Sequence, residues 1–141
     1  MEIQIGVGLD DFKFGMSASE VKRRLGPPDK IDRDEEEFPL FLFNKLRSTF
    51  WFDSKSRLHW IQCSHRDAVL LGSKPIGAQA PSILSSIESH LGESWELVDY
   101  GSIESYSFSE AELEIQTEYG LIRSICFGHL WEGDTPLYAI T

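Results

Sequence analysis

The sequence predicts an α+β fold made of two tandem helix-plus-antiparallel-meander repeats, with the helices on one face of the antiparallel sheet. Residues 17–25 form a capped helical segment, and aromatic and β-branched runs with a period of two follow it. Residues 80–92 form a second helical segment, and similar runs follow that one. A chain of 141 residues, 41% of them hydrophobic, can bury a core, so we expect a single domain over residues 1–141.

The first half of the chain opens with a short predicted strand at residues 3–7 and a helix whose ends are marked by the sequence. Ser17 or Ser19 supplies an N-cap. Gly26 favours a C-terminal cap, and Pro27-Pro28 cannot continue the helix. Three aromatic and β-branched runs with turn residues between them then predict strands at residues 39–44, 48–53 and 57–64.

The second half of the chain shows the same order of elements. Its helix ends in Leu91-Gly92, 66 residues after Leu25-Gly26. Strands are predicted at residues 95–100, 103–108, 111–117 and 121–127. Three further positions recur at a spacing of 64 residues: Leu58 and Ile122, Ile61 and Ile125, His65 and His129. We therefore divide the chain into a first αβββ repeat, residues 1–71, and a second, residues 72–141.

Negative charge is concentrated in the second repeat. The net charge of the chain is −10. Residues 1–71 hold 12 acidic and 11 basic side chains, whereas residues 72–141 hold 11 acidic and 2 basic ones, a net of −9. Such a surface repels nucleic acid and favours a basic protein partner, although plain solubility explains an acidic surface equally well.

The sequence also predicts where the protein resides. No apolar run approaches the roughly 20 residues that a membrane span needs. The first residues, MEIQIGVGLDD, show neither the basic nor the apolar region of a signal peptide. Two cysteines suit a reducing compartment and are too few for a disulfide framework. We expect a cytoplasmic protein without a membrane partner.

One segment carries a family resemblance: in order, it contains Gly15-Met16-Ser17, Val21, Leu25-Gly26 and Pro28. This order resembles the helix-to-strand signature of the BamE/SmpA-type outer-membrane assembly lipoproteins, which also carry a hairpin like STFWFDSKSRLHWI, residues 48–61. A tandem version of the unit resembles the β-lactamase-inhibitory-protein architecture. The resemblance spans residues 14–61 and implies a binding scaffold with one sheet face left free. Because the chain has no lipobox cysteine, an outer-membrane role is not implied.

The candidate partner-binding surface centres on the segment AELEIQTE, residues 111–118. Side chains alternate along a strand, so one face of this segment is apolar and the other carries a row of carboxylates. An ordinary solvent-exposed sheet face has the same pattern. Exposed aromatic rings next to carboxylates are typical of protein interfaces. The candidate partner-binding residues are Glu112, Glu114, Glu118, Glu104, Glu110, Tyr106, Trp95 and Trp51.

Catalytic and metal sites are less well supported by the sequence. Cys63, His65, Cys126 and His129 are zinc-ligating residue types, but their places in the two repeats favour buried cysteines over a shared site. We therefore expect no metal, no cofactor and no catalytic residue, and a non-enzymatic inhibitor or immunity protein that neutralises a basic toxin such as a nuclease. The alternatives are a small zinc protein or enzyme that uses these four residues, and a domain that binds a small apolar ligand.

Overall fold

The computed structural model describes residues 1–140. Within them lie helices α1 (Ala18–Leu25) and α2 (Ala80–Leu91), together with a 3-10 turn at Asn44–Leu46. The strands in chain order are β1 (Glu2–Gln4), β2 (Gly8–Leu9), β3 (Phe12–Lys13), β4 (Lys30–Arg33), β5 (Pro39–Phe43), β6 (Ser48–Phe52), β7 (Leu58–Cys63), β8 (Val69–Leu70), β9 (Glu96–Asp99), β10 (Ile103–Phe108), β11 (Leu113–Glu118), β12 (Leu121–Gly128), β13 (Leu130–Glu132) and β14 (Thr135–Leu137).

Both ends of α1 follow the local sequence signals. The Ser17 hydroxyl oxygen accepts a hydrogen bond from the backbone N–H of Glu20 at 3.1 Å, which satisfies one of the free N–H groups of the first turn. Gly26 follows the last turn with φ of 80°, a value that favours glycine, and its N–H donates to the carbonyl of Lys22. The predicted helix and its two caps are confirmed.

The predicted α+β fold of two helix-plus-meander repeats is wrong. Across the described residues the chain is mainly β, with 46% strand and 16% helix. Strands from both halves form one eight-stranded antiparallel sheet in the order β4-β5-β6-β7-β12-β11-β10-β9. The halves join where β7 pairs with β12, with Ile61 opposite Phe127 and Cys63 opposite Ile125.

The strands of the two halves join in one sheet for a physical reason. A separate meander would leave unpaired N–H and C=O groups along the edge of β7, and the pairing with β12 satisfies them. A period of two in the sequence predicts the face that each side chain takes, but it does not identify the distant strand that lies alongside. The boundary between residues 71 and 72 and the single domain stay predictions.

The eight-stranded sheet has an inner face that is buried against the helices. Phe50, Ile61 and Ile115 on this face are fully buried and belong to one hydrophobic cluster. Val21 of α1 and Leu84 of α2 belong to the same cluster. Both helices therefore pack on the inner face, where burial of apolar surface provides the main stabilisation.

Two smaller sheets complete the fold. Strands β3, β2, β1 and β8 form a four-stranded sheet, and β13 and β14 form a C-terminal hairpin. The hairpin is held at both ends, because Gly6 forms a parallel bridge with His129 and the N–H of Ile140 donates to the carbonyl of Phe14 at 3.1 Å. In residues 1–140, no helix is long and apolar enough to cross a membrane.

Candidate functional site

The second face of the eight-stranded sheet is not covered by the helices, and we call it the open face. Directly paired residues of antiparallel strands share a face, so the strand register identifies its side chains. Its large apolar side chains on β5 to β7, Leu40, Leu42, Trp51 and Trp60, lie outside the hydrophobic cluster. On β5 to β7 and β10 to β12, the open face comprises Leu40, Leu42, Thr49, Trp51, Trp60, Gln62, Ile103, Ser105, Ser107, Glu114, Gln116, Glu118, Leu121, Ser124 and Cys126.

One half of the open face, on β5 to β7, is apolar and aromatic. Trp51 pairs with Leu40 on one side and with Trp60 on the other, and all three are partly exposed. Trp51 therefore faces away from its buried neighbours Phe50 and Phe52, as the sequence predicts. Partly exposed tryptophan side chains that lie opposite each other on neighbouring strands are typical anchors of a protein interface.

The Trp60 ring lies against the backbone of the neighbouring strand β12, which fixes the position of the ring. Gly128 lies opposite Trp60 in the register, and a Cβ atom placed on Gly128 would lie 2.5 Å from Cε3 of the Trp60 ring. The same Cβ would lie 2.9 Å from the carbonyl oxygen of His59. The Trp60 ring consequently rests directly on the backbone of β12, which requires glycine there.

The other half of the open face, on β10 to β12, is mainly polar and acidic, with Ile103 and Leu121 at one end. Glu114 accepts hydrogen bonds from the Ser105 hydroxyl and from Nε2 of Gln116, the latter at 3.3 Å. The Ser124 hydroxyl donates to Oε1 of Gln116 at 2.7 Å. Glu118 pairs with Arg123 at 2.7 Å, so the chain itself neutralises this carboxylate. Glu114 is thus oriented by its neighbours and has no cationic partner among the described residues.

A hollow of about 220 Å³ lies where the two halves meet, lined by Trp60, Glu112 and Glu114 among others. Glu112 has φ of 51°, and its carbonyl accepts the N–H of Gly128 at 3.0 Å. Burial raises the pKa of the Glu112 carboxyl group above its ordinary value. The hollow therefore combines an aromatic ring with two carboxylates, an arrangement that suits a basic side chain.

The other sequence-predicted residues lie away from this hollow. Glu104 pairs with Thr117 and Tyr106 pairs with Ile115, so both belong to the inner-face side near the edge of the sheet. Trp95 packs on the same side, with its ring centroid 6.1 Å from that of Tyr106. Glu110 lies in the turn between β10 and β11. The structure thus places Glu114, Glu118 and Trp51 on the open face and Glu112 beside them in the hollow, and separates these residues from Glu104, Tyr106 and Trp95.

The two Cys/His pairs are not brought together. Cys63 and Cys126 are close because β7 and β12 pair, but Cys63 faces inward and Cys126 lies on the open face. His65 and His129 follow the ends of antiparallel strands and so lie at opposite ends of them. Within residues 1–140, no group of three or more His, Cys, Asp or Glu side chains is arranged to hold a metal ion.

A second concave region, which we call the end groove, has a volume of about 620 Å³. It lies at one end of the sheet, between the β4–β5 turn, the β6–β7 hairpin and the C-terminal hairpin. Its aromatic lining residues are Phe38, Trp131 and Tyr138, and two histidines, His59 and His129, lie among them. These residues come from three distant parts of the chain.

One polar contact joins the C-terminal hairpin to the sheet across the end groove. The Tyr138 hydroxyl donates a hydrogen bond to Asp53, which also accepts backbone N–H groups from Lys55 and Arg57 at 2.9 and 3.0 Å. Burial acts to raise the pKa of the Asp53 carboxyl group, but these three hydrogen bonds lower it below its ordinary value. Burial and the bond to Asp53 raise the pKa of Tyr138 to about 12. The pair therefore exists as a neutral phenol and a carboxylate near neutral pH.

Asp53 ends the predicted strand at residues 48–53 and His59 lies in the predicted strand at residues 57–64, and neither is predicted to join a groove. The turn hydrogen bonds of Asp53 are present, but its bond to Tyr138 links positions 85 residues apart. The one sequence signal for this region is the turn-forming Gly133-Asp134 between apolar residues, which is typical of a hairpin. That signal predicts the turn of a hairpin, but it does not predict where the hairpin packs.

Comparisons with known proteins show a shared fold. No family model and no curated protein matches the chain. The chain is similar to the solved structure of an extracellular SCP-domain protein from Bacillus anthracis, with 8% identity and a TM-score of 0.55 over 92% of this chain and 48% of that one. It is also similar to a DUF4309-family protein from Bacillus subtilis, with 12% identity and a TM-score of 0.54 over 88% of this chain and 82% of that one.

These likenesses support the fold and do not extend to activity. The chain spans about half the length of the Bacillus anthracis protein. At such low identities a similar backbone carries no information about function. The BamE/SmpA-type resemblance is not tested by either similarity and stays a prediction.

Proposed function

We propose that this chain is a non-enzymatic, acidic protein-binding module whose open face binds a basic protein. One observation carries the proposal: the Trp51–Trp60 pair lies beside a hollow lined by Glu112 and Glu114, on a sheet face that neither helix covers. Aromatic anchors with a polar rim are the usual composition of a protein interface.

The charge of the chain supports a basic partner. The net charge of −9 on residues 72–141 would speed the encounter with a positively charged protein. In the complex, a Lys or Arg side chain of the partner enters the hollow next to the Trp60 ring. Glu114 needs no rearrangement to receive it, because Ser105 and Gln116 already hold its carboxylate.

The thiol on the open face supports binding over catalysis. Burial, with a smaller effect from Glu114, raises the pKa of Cys126 to about 12. A thiol with such a pKa holds almost no thiolate near neutral pH, and the thiolate is the nucleophilic form. Cys126 therefore contributes packing to the face and no covalent chemistry.

The most concrete form of the proposal is an inhibitor or immunity protein that acts in the cytoplasm and neutralises a basic toxin such as a nuclease. An acidic face with aromatic anchors suits the cationic surface with which a nuclease holds its nucleic acid. Binding there would block the substrate without any reaction on this chain.

The test measures association with a basic toxin encoded beside the gene of this chain, at several salt concentrations. The variant carries Glu112→Gln, Glu114→Gln and Glu118→Gln together. We expect the association rate at low salt to fall about tenfold and its salt dependence to flatten. The free energy of unfolding should change by about 1 kcal/mol or less, since Gln keeps the acceptor oxygen to which Ser105 and Gln116 donate and the lost Glu118–Arg123 ion pair is exposed.

A matched control removes the same charge elsewhere, with Glu2→Gln, Asp11→Asn and Glu35→Gln, all exposed and outside the open face. This control should lower the association rate much less than the open-face variant does. Equal effects of the two triple variants would contradict the proposed position of the interface. A toxin that shows no binding to the unaltered chain would contradict the immunity function itself.

A further inference from the structure

We propose that the end groove binds an organic cation, an ammonium or guanidinium group, against the Trp131 ring and the Nε2 atom of His129. A groove of about 620 Å³ has the size of a small-molecule or side-chain site. It is separate from the open face, so this inference does not depend on the identity of the protein partner.

His129 offers an unused hydrogen-bond acceptor. The residue is 5% exposed, and its Nδ1 lies 2.9 Å from the carbonyl oxygen of Leu130. A carbonyl oxygen only accepts, so Nδ1 carries the proton and Nε2 of the neutral ring carries a lone pair. Among residues 1–140, no group donates a hydrogen bond to this Nε2. A nitrogen of this kind in a groove wall is suited to an N–H donor of a ligand.

The aromatic walls favour a cation as that donor. The Trp131 side chain is 50% exposed, and its ring centroid lies 4.7 Å from that of His129. Tryptophan has the aromatic face that attracts cations most strongly. The chain already shows this chemistry in the same groove, where the guanidinium carbon of Arg57 lies 5.6 Å from the centroid of the Tyr138 ring.

The charge balance of the groove also favours a cation. Four carboxylates line it, Asp34, Glu36, Asp53 and Asp134, against the two cations Lys55 and Arg57. His59 does not supply the missing positive charge, because burial lowers its pKa despite the opposing effect of three of these carboxylates. A bound cation would offset the net negative charge that these lining side chains give the groove.

The experiment is a titration of the ¹⁵N-labelled full chain, followed by NMR at the indole N–H of Trp131. The probes are N-acetylarginine amide and its uncharged isostere N-acetylcitrulline amide. We expect saturable shifts confined to the end groove for the arginine compound, and binding about tenfold weaker for the citrulline compound. Equal affinity of the two compounds, or shifts spread outside the groove, would overturn the proposal.

Two further probes distinguish the source of the cation. Ethanolamine represents a free small molecule with an ammonium group, and the peptide acetyl-Gly-Arg-Gly-amide represents a basic side chain of a protein. Tighter binding of ethanolamine assigns the groove to a free small ammonium compound, and tighter binding of the peptide assigns it to a protein side chain. Failure of ethanolamine, the peptide and the arginine compound alike would overturn the proposal.

Matched variants test whether the proposed residues bind the cation. Trp131→Leu, followed at the backbone N–H of Tyr138 because it lacks the indole, should weaken cation binding about fivefold, whereas Tyr119→Leu, at an aromatic residue 81% exposed and outside the groove, should not. Asp134→Asn should weaken binding in the same direction, with Asp11→Asn as its control. Unchanged affinity in both groove variants, with thermal unfolding as in the unaltered chain, would contradict the assigned site.

Discussion

The two faces of the eight-stranded sheet are built by the same strands and differ in what constrains them. Inner-face residues such as Phe50 and Ile115 are fully buried, so packing restricts them to apolar side chains along the whole sheet. On the open face, the composition changes from Trp51 and Trp60 on one half to Glu114 on the other. Packing does not account for that change. The open face is therefore where the sequence is free to encode a binding partner.

The largest expected difference in stability is between variants of two neighbouring residues of β6, Phe50 and Trp51. Phe50→Ala should lower the free energy of unfolding by about 3–5 kcal/mol, because it leaves a cavity in the inner-face cluster. Trp51→Ala should cost about 1 kcal/mol or less, since it loses cross-strand contacts on a partly exposed surface. Urea denaturation of both variants measures the contrast. Similar losses would show that the open face is covered and would remove the basis of the proposed interface.

A smaller effect is expected at Gly128, where the open face meets the backbone. Gly128→Ala places a Cβ 2.5 Å from the Trp60 ring and 2.9 Å from the His59 carbonyl oxygen. We expect a loss of about 1–3 kcal/mol and a change in tryptophan fluorescence as Trp60 moves. Adding Trp60→Ala to this variant should recover part of the stability. A Gly128→Ala variant as stable as the unaltered chain would mean that Trp60 is not held against β12.

The Tyr138–Asp53 hydrogen bond at the end groove should have the smallest effect of the three. Tyr138→Phe should cost about 1–2 kcal/mol at neutral pH, because Asp53 loses a donor that lowers its pKa. Tyr106→Phe is the control, since its hydroxyl bonds to Glu104 at 3.2 Å near the sheet edge. That control should change stability less.

The stability difference between the unaltered chain and Tyr138→Phe should depend on pH. The pKa of folded Asp53 is lowered, so its contribution is present above the unfolded pKa, about 3.9, and is lost as pH falls through the folded value. The pKa of folded Tyr138 is raised to about 12, so its contribution is present below about pH 10 and is lost as pH rises toward 12. The stability difference between the unaltered chain and Tyr138→Phe should narrow at both extremes. A difference that is constant with pH would show that this hydrogen bond is absent in solution.

Local signals in the sequence determined the elements and their faces. Ser17 and Gly26 set the ends of α1, and the alternation at residues 111–118 placed Glu114 and Glu118 on the face opposite Leu113. These features depend on backbone geometry within a few residues, which is why a single sequence predicts them. The alternation along the strand predicted at residues 48–53 likewise placed Trp51 on the face opposite Phe50 and Phe52.

Only the tertiary structure decided how these elements combine. The pairing of β7 with β12 merges the strands of both halves into one sheet, and the bond from Tyr138 to Asp53 brings the C-terminal hairpin to the β6–β7 hairpin. Both contacts join residues more than sixty positions apart. Their formation depends on burial and on the pairing of backbone groups between whole segments, and a local pattern does not encode the choice of partner segment. The fold class was mispredicted and the end groove was missed for this one reason.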